Sequence, residues 1–343
     1  MKIITLKKLI FISLFFILLL LGIILLSVTL GSVKVPALKA INILFQSIFG
    51  IEGRLDETER QIILTLRFPR IIMAGLVGAG LSVSGATLQA LLRNPLADPY
   101  ILGVSSGSAV GAILAIMLGL STHSFGLPLA SFLGAIITTI VVFYFGRQDG
   151  KIHPNTLLLA GVIIGSFLSS LIMFFISISP KEELHTIIFW LMGDFSFSNL
   201  QAISMIFPYL LLGIIGIYVL SRPLNLILLG EDTAVQLGVD VERVKMLSYL
   251  LASLLTAASV SFCGLIGFVG LIIPHSIRLL LGADHRILIP TSALLGASFL
   301  IASDTIARTF LAPTELPVGV ITAFWGSPFF IYLLKRRKVV RTL

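Results

Sequence analysis

Apolar residues run almost unbroken along this chain for stretches of about twenty positions, separated by short polar turns. A membrane barrel would instead alternate apolar and polar positions over segments of about ten residues. A helix that crosses a bilayer needs about 20 apolar residues. The pattern predicts ten such spans, at about 9–30, 67–92, 98–119, 127–146, 154–178, 198–220, 245–263, 264–281, 287–308 and 318–335. The first follows Lys2, Lys7 and Lys8 as a signal peptide would. Its apolar core is too long and no clean small-x-small cleavage site follows, so it is read as a retained span. The eighth is the most interrupted: Gly264, Gly267 and Gly270 loosen its start and Pro274 breaks it. Small residues recur four apart, as Ala74, Gly78, Ser82, Ala86 and Ala90, then Gly103, Gly107 and Gly111, then Gly161, Gly165 and Ser169. In lipid, such stripes let helices approach closely. The expected fold is an all-α polytopic membrane bundle.

Composition agrees. Of 343 residues, 57% are hydrophobic and 12% charged, with mean hydropathy +1.08. That charge content is half of what a soluble domain carries, and it also excludes a disordered chain. The net charge of +8 does not point to nucleic acid once its placement is read. With the N-terminus in the cytoplasm, 16 of the 24 lysines and arginines fall inside, among them the tail Lys335-Arg336-Arg337-Lys338. The positive-inside bias therefore predicts both termini in the cytoplasm. The single Cys263 makes neither an intrachain disulfide nor a metal cluster and reads as a packing residue.

Candidate chemistry is sparse. Gly103-Val104-Ser105-Ser106-Gly107 fits the nucleophile pattern of a serine hydrolase, but it lies on a glycine-rich membrane helix. His123, His153, His185, His275 and His285 fall mostly at loops or helix ends, and no H-E-x-x-H occurs. Gly150-Lys151 lacks the glycine spacing and the hydroxyl residue of a phosphate loop. ATP, if used, must be hydrolysed by another subunit. Asp304 and Arg308 are four apart and can pair on one helix face. Together with Arg278 and His275 they are too few for the proton relay of a secondary carrier. Ser82-Val83-Ser84 on an inward-running span and Ser259-Val260-Ser261 on an outward-running one suggest a faint inverted repeat.

The longest predicted cytoplasmic loop, 223–242, is too short for a domain. Glu231 and Asp232 suit a helix start and Gly238 a helix end. Between them Ala234, Val235 and Leu237 would offer an apolar face, either to a soluble partner or to the bilayer surface.

The spacing of Glu231, Ala234 and Gly238 resembles the E-A-A-x-x-x-G coupling loop of ABC importer permeases. More specifically, the chain resembles the iron-siderophore, haem and cobalamin importer permease family, of FecCD type. The resemblance runs in order through Arg67-Phe68-Pro69-Arg70, Val83-Ser84-Gly85-Ala86-Thr87-Leu88-Gln89, Arg93-Asn94-Pro95-Leu96-Ala97-Asp98-Pro99 and Leu102-Gly103-Val104-Ser105-Ser106-Gly107. It continues through Leu157-Leu158-Leu159-Ala160-Gly161, Gly267 to His275, Gly282-Ala283-Asp284-His285-Arg286 and Glu315-Leu316-Pro317-Val318-Gly319. It covers nearly the whole chain.

The resemblance implies a single transmembrane domain over 1–343 with type II importer architecture, in which spans two to five and seven to ten form an inverted pseudo-two-fold repeat. It implies a homodimer around one pathway in the cytoplasmic membrane of a bacterium or archaeon. Two cytoplasmic subunits would hold ATP and Mg, and a periplasmic or lipid-anchored binding protein would deliver cargo. This chain would be no enzyme and would bind no cofactor. Gly230, Glu231, Asp232, Ala234, Leu237 and Gly238 would couple to the ATPase; Asn94, Leu96, Pro154 and Asn155 would form a cytoplasmic gate; Arg67, Arg70 and Arg308 would receive acidic residues of the binding protein. Cargo in the family is mostly siderophore iron, with haem, cobalamin and molybdate also known. A neighbouring ATPase gene would separate this reading from a carrier that works alone and from a membrane hydrolase.

Overall fold

The computed structural model describes residues 6–31, 33, 35–50, 56–120, 125–148 and 150–336. Lys2, His123, Arg337 and Lys338, named above, lie outside them, as do Lys34, Arg54 and Arg341 among the 24 basic residues counted for topology. The helices in chain order are α1 (Leu6–Thr29), α2 (Ala37–Phe49), α3 (Glu57–Gln61), α4 (Phe68–Leu91), α5 (Val104–Met117), α6 (Gly126–Gly146), α7 (Pro154–Ile178) and α8 (Lys181–Met192). They continue as α9 (Leu200–Val219), α10 (Ser221–Leu228), α11 (Glu231–Gln236), α12 (Val241–Cys263), α13 (Val269–Leu281), α14 (His285–Ala307) and α15 (Val318–Arg336). Among the described residues the only strands are β1 (Arg147–Gln148) and β2 (Lys151–Ile152), an antiparallel hairpin between α6 and α7.

Every predicted span has a helix. Among the described residues, seven helical stretches are long and apolar enough to cross a bilayer: those of α1, α4 with its extension from Glu57, α6, α7, α9, α12 and α14. Three shorter apolar helices, α5, α13 and α15, lie where the other three spans are expected. Helices α2, α8, α10 and α11 lie between spans and were not individually predicted, apart from the helix expected at 231–238.

The two short helices show how the chain departs from the hydropathy pattern. Helix α5 has 14 residues and α13 has 13, about 20 Å each against a hydrocarbon core of about 30 Å. Each is preceded by a break in the α-helix that ends on a left-handed residue: a 3-10 turn, Pro99–Leu102, before Gly103 at φ 74, and irregular chain before Phe268 at φ 70. Span eight is therefore interrupted at 264–268, as its glycines suggested. Pro274, however, sits within continuous helix, so it does not break the span. The two breaks meet where the Ile266 N–H donates to the Tyr100 hydroxyl, and beside them Gln89 Nε2 donates to the carbonyls of Ala97 (3.3 Å) and of Gly270 in α13 (3.2 Å).

This pairing is one sign of the inverted repeat. Helix α4 packs on α14 as α12 packs on α6; α5 packs on α6 as α13 packs on α14; α6 packs on α7 as α14 packs on α15. Helices α4 and α12 face each other at the centre, where Ser84 Oγ donates to the Ala252 carbonyl at 2.8 Å. Gly78 on α4 lies so close to Gly296 on α14 that a Cβ on either would collide with the other's carbonyl. The core is α4 itself, buried along most of its length from Pro69 to Leu91. By contrast α7 buries only Leu157, Ala160 and Gly161.

Candidate functional site

Helices α10 and α11 form a bent element at the predicted cytoplasmic end. Gly230 at φ 131 and Gly238 at φ 83 bound α11 in conformations that favour glycine. Gly238 has open space around it, so the backbone and not crowding demands glycine there. The turn closes as Gly238 N–H donates to Val235 O at 2.9 Å and Val239 N–H to Ala234 O at 3.0 Å, satisfying carbonyls that a helix end leaves orphaned.

The faces of α11 differ from the sequence expectation in one respect. Ala234 is fully buried, seated in a cluster with Ala90, Leu224, Ile227, Val241 and Val244. It anchors the element and is not part of its outward face. Val235 and Leu237, each 60% exposed, do point out, and Leu228 and Leu229 extend their apolar surface. Asp232 is exposed in the first turn, where a carboxylate suits the helix dipole.

Glu231 turns inward. One carboxylate oxygen lies 3.0 Å from Arg93 Nη2 and the other 2.6 Å from Lys245 Nζ. Neither cation was singled out from the sequence, because their partners are far off in the chain or across a turn. Arg93, at φ 48, begins the turn that leaves α4. Its neighbour Asn94 shapes that turn: Asn94 Oδ1 accepts the Leu96 N–H at 3.0 Å, and Asn94 O accepts the Ala97 N–H at 3.0 Å. Asn94 and Leu96 are half-buried. Pro154 occupies the first turn of α7, where its missing N–H costs nothing, and Asn155 beside it is exposed.

A second tie holds α10 from the other side. Asn225 Nδ2 donates to Asp284 Oδ1 at 2.7 Å, and Asn225 Oδ1 accepts the His285 N–H at 2.9 Å. Hydrogen bonds from Arg286 and Asn225 outweigh burial and hold the Asp284 carboxyl at about 2, so it stays ionised at any physiological pH. A second residue the sequence reading did not single out is Gln89, which joins the α4 turn to α13 and also accepts from Arg278 Nη1 at 2.8 Å. Its signal was available: a long polar side chain inside a stripe of small residues.

The three arginines expected to form an outer docking patch are buried and already partnered. Arg67, 5% exposed, donates to the carbonyls of Val28 at 2.6 Å and of Val33. Arg308, 6% exposed, donates to the Ser27 carbonyl and to Ser27 Oγ at 2.8 Å. Both thus cap the end of α1, where carbonyls lack helical partners and the dipole favours cations. Arg70 is clamped between Asp304 at 2.8 Å and Glu315 at 2.6 Å. The anticipated Asp304–Arg308 pair is present at 3.6 Å, shared with Arg70. All three guanidiniums are desolvated and held by this chain's own oxygens.

A multi-span helical bundle with an inverted repeat and an apolar-faced helix braced at one end is the build of a type II importer permease. The chain belongs to the FecCD transport family, whose model matches residues 18–336. This makes it the membrane subunit of an ABC transporter, with ATP hydrolysis on a separate subunit. It is 45% identical to the cobalamin import system permease protein BtuC of Halobacterium salinarum, over 85% of this chain and 77% of that one. It is 37% identical to the hemin transport system permease protein HmuU of Yersinia pestis, covering 88% and 91%. It is 41% identical to the molybdate import system permease protein MolB of Haemophilus influenzae, covering 82% and 84%. Among solved structures, a metal-chelate type ABC transporter in an inward-facing conformation superposes with TM-score 0.83 at 36% identity, covering 95% and 99%.

Proposed function

We propose that this permease carries a metal chelate, of the iron-siderophore, haem or cobalamin kind, from an extracytoplasmic binding protein into the cytoplasm. Two ATPase subunits, holding ATP and Mg, drive it from below; the permease itself binds no cofactor. The observation that carries the reading is α11: an element braced inward by Glu231 and Ala234 while Val235 and Leu237 project outward without partners in their own loop. That is a seat for a soluble motor. Gly230, Asp232 and Gly238 shape it; Asn94, Leu96, Pro154 and Asn155 border the inner mouth of the pathway. Both termini lie in the cytoplasm, with the domain spanning the whole chain.

The pathway lies between two copies, along the face of α7 that one copy leaves open. That face presents Phe167 and Phe174, together with Ser166, Ser169 and Ser170. Each serine hydroxyl is turned back on its own helix, for example Ser169 Oγ to Gly165 O at 2.8 Å. Such a wall guides a bulky chelate without gripping it. Among the relatives, two are named for metal tetrapyrroles, which favours chelate over oxyanion cargo. The binding protein docks at the opposite end, above the surface that Arg67, Arg70 and Arg308 hold in place.

The test is reconstitution with the ATPase and binding protein encoded beside the gene. Vesicles loaded with ATP should accumulate one of labelled cobalamin, haem or ferric siderophore, and vanadate should stop them. Accumulation driven by an ion gradient without the ATPase would overturn the reading, and uptake of molybdate alone would overturn the cargo class.

A further inference from the structure

We infer that Glu231 is a pivot that transmits movement of α11 along two separate arms, with Arg93 as the positioning residue of one and Lys245 and Glu242 of the other. The inference deepens the function proposed above and rests on it for one point, that the ATPase acts at α11.

The first arm is short. Glu231 Oε1 holds Arg93 Nη2 at 3.0 Å, and the same nitrogen reaches the Ile227 carbonyl of α10 at 3.5 Å. Arg93 is covalently next to Asn94 and carries the left-handed residue that turns the chain out of α4. A shift of α11 therefore pulls on the turn 92–98 at its hinge. The second arm runs through α12. Glu231 Oε2 holds Lys245 Nζ at 2.6 Å; Lys245 also bonds Glu242 Oε1 at 3.1 Å and the Ile152 carbonyl at 3.4 Å. Glu242 Oε2 in turn accepts the Ile152 N–H at 2.7 Å. Ile152 ends β2 and stands two residues before Pro154, the start of α7.

One carboxylate thus reaches the two segments that enter the bundle on either side of the pathway. These bonds transmit and do not merely decorate. They are charge-assisted and directional. The Lys245 side chain is 4% exposed, so its ammonium cannot leave its carboxylates for water without a large desolvation cost. The pair Lys39–Glu59, with Lys39 55% exposed, is by contrast free to let go at little cost. Holding α11 against the bundle does not require the arms, since buried Ala234 already does so.

The experiment uses the complete complex of permease dimer and ATPase in lipid nanodiscs. Leu96→Cys reports the first arm and Asn155→Cys the second; each is spin-labelled, and the distance between protomers is measured with and without ATP and vanadate. Arg93→Ala should abolish the nucleotide-dependent shift at 96 and leave that at 155. Glu242→Ala should do the reverse. Glu231→Gln should abolish both, and Glu231→Asp, which keeps the charge, should restore part of each. Uptake should fall about tenfold in either single-arm variant, within the usual range of coupling effects. If Arg93→Ala fails to assemble, Arg93→Gln, which keeps a donor towards Ile227, takes its place. Equal effects of the two arm variants on both labels, or no effect of either, would overturn the pivot while leaving the ATPase reading standing. Wild-type complex with no shift at either label would overturn that reading and the pivot with it.

Discussion

Gly238 and Ala234 sit four residues apart on one motif, yet their demands are of different kinds. Gly238 needs a left-handed backbone in open space. Gly238→Asn, which tolerates that conformation, should therefore keep uptake, whereas Gly238→Val should lose it, although both add bulk. Equal loss in the two would show that bulk matters and the turn does not. Ala234 needs a small side chain in a filled seat, so Ala234→Leu should overpack it at a cost of about 1–3 kcal/mol, read as a lowered melting temperature of the purified permease. Leu237→Ser, on the exposed side of the same helix, should leave the melting temperature alone and weaken co-purification of the ATPase. Much of this motif was legible from sequence, because a glycine past a short acidic-headed helix has few other uses. The inward face of Ala234 was not: which side of a six-residue helix is buried depends on where α4, α10 and α12 lie. The same holds for the arginines. Spacing along one helix revealed Asp304 with Arg308, but Arg70 joins them from 234 positions away.

At the scale of elements, each predicted span holds an apolar helix, but α5 and α13 are shorter than the hydropathy pattern implies. A window of apolar residues cannot tell α-helix from a 3-10 turn or irregular chain when all are dry, so 98–103 and 264–268 were counted into spans. Such breaks are tolerated in the membrane because protein groups satisfy the backbone: the Tyr100 hydroxyl takes the Ile266 N–H, and Gln89 serves the flanking carbonyls of Ala97 and Gly270. Gln89→Leu should leave those carbonyls and Arg278 unpaired. It should destabilise the permease by several kcal/mol, given about 1–3 per orphaned buried group, with Gln89→Glu milder if Arg278 dominates. Thermal unfolding in detergent would show the order. Close packing of α4 on α14 at Gly78 and Gly296 makes a second check: Gly296→Val should reduce the yield of folded protein, because carbonyl backbone cannot move aside as a side chain would.

The whole molecule is lopsided. Helix α4 is sunk in protein while α7 shows apolar and hydroxyl groups along most of its length. A cysteine replacing Ser169 should cross-link to its counterpart in a second copy, and failure to do so in native membranes would place the pathway on another face. At the end of the bundle opposite α11, Arg308→Glu would set a third carboxylate beside Asp304 and Glu315 and strip α1 of a cap. It should lower the yield of inserted protein, not merely slow binding-protein association; normal yield with slowed association would favour direct docking.

That cap also dictates an order of manufacture. The end of α1 leaves the ribosome early, but it receives Arg67 39 residues later and Arg308 only 281 residues after Ser27. Until Arg308 is made, the first span waits in the bilayer with its last carbonyls half-served, and its end is closed only by a residue 281 positions further on. A nascent chain stalled before position 308 has left the ribosome should therefore leave α1 open to protease or to a competing helix, while one stalled far enough on to release it should not.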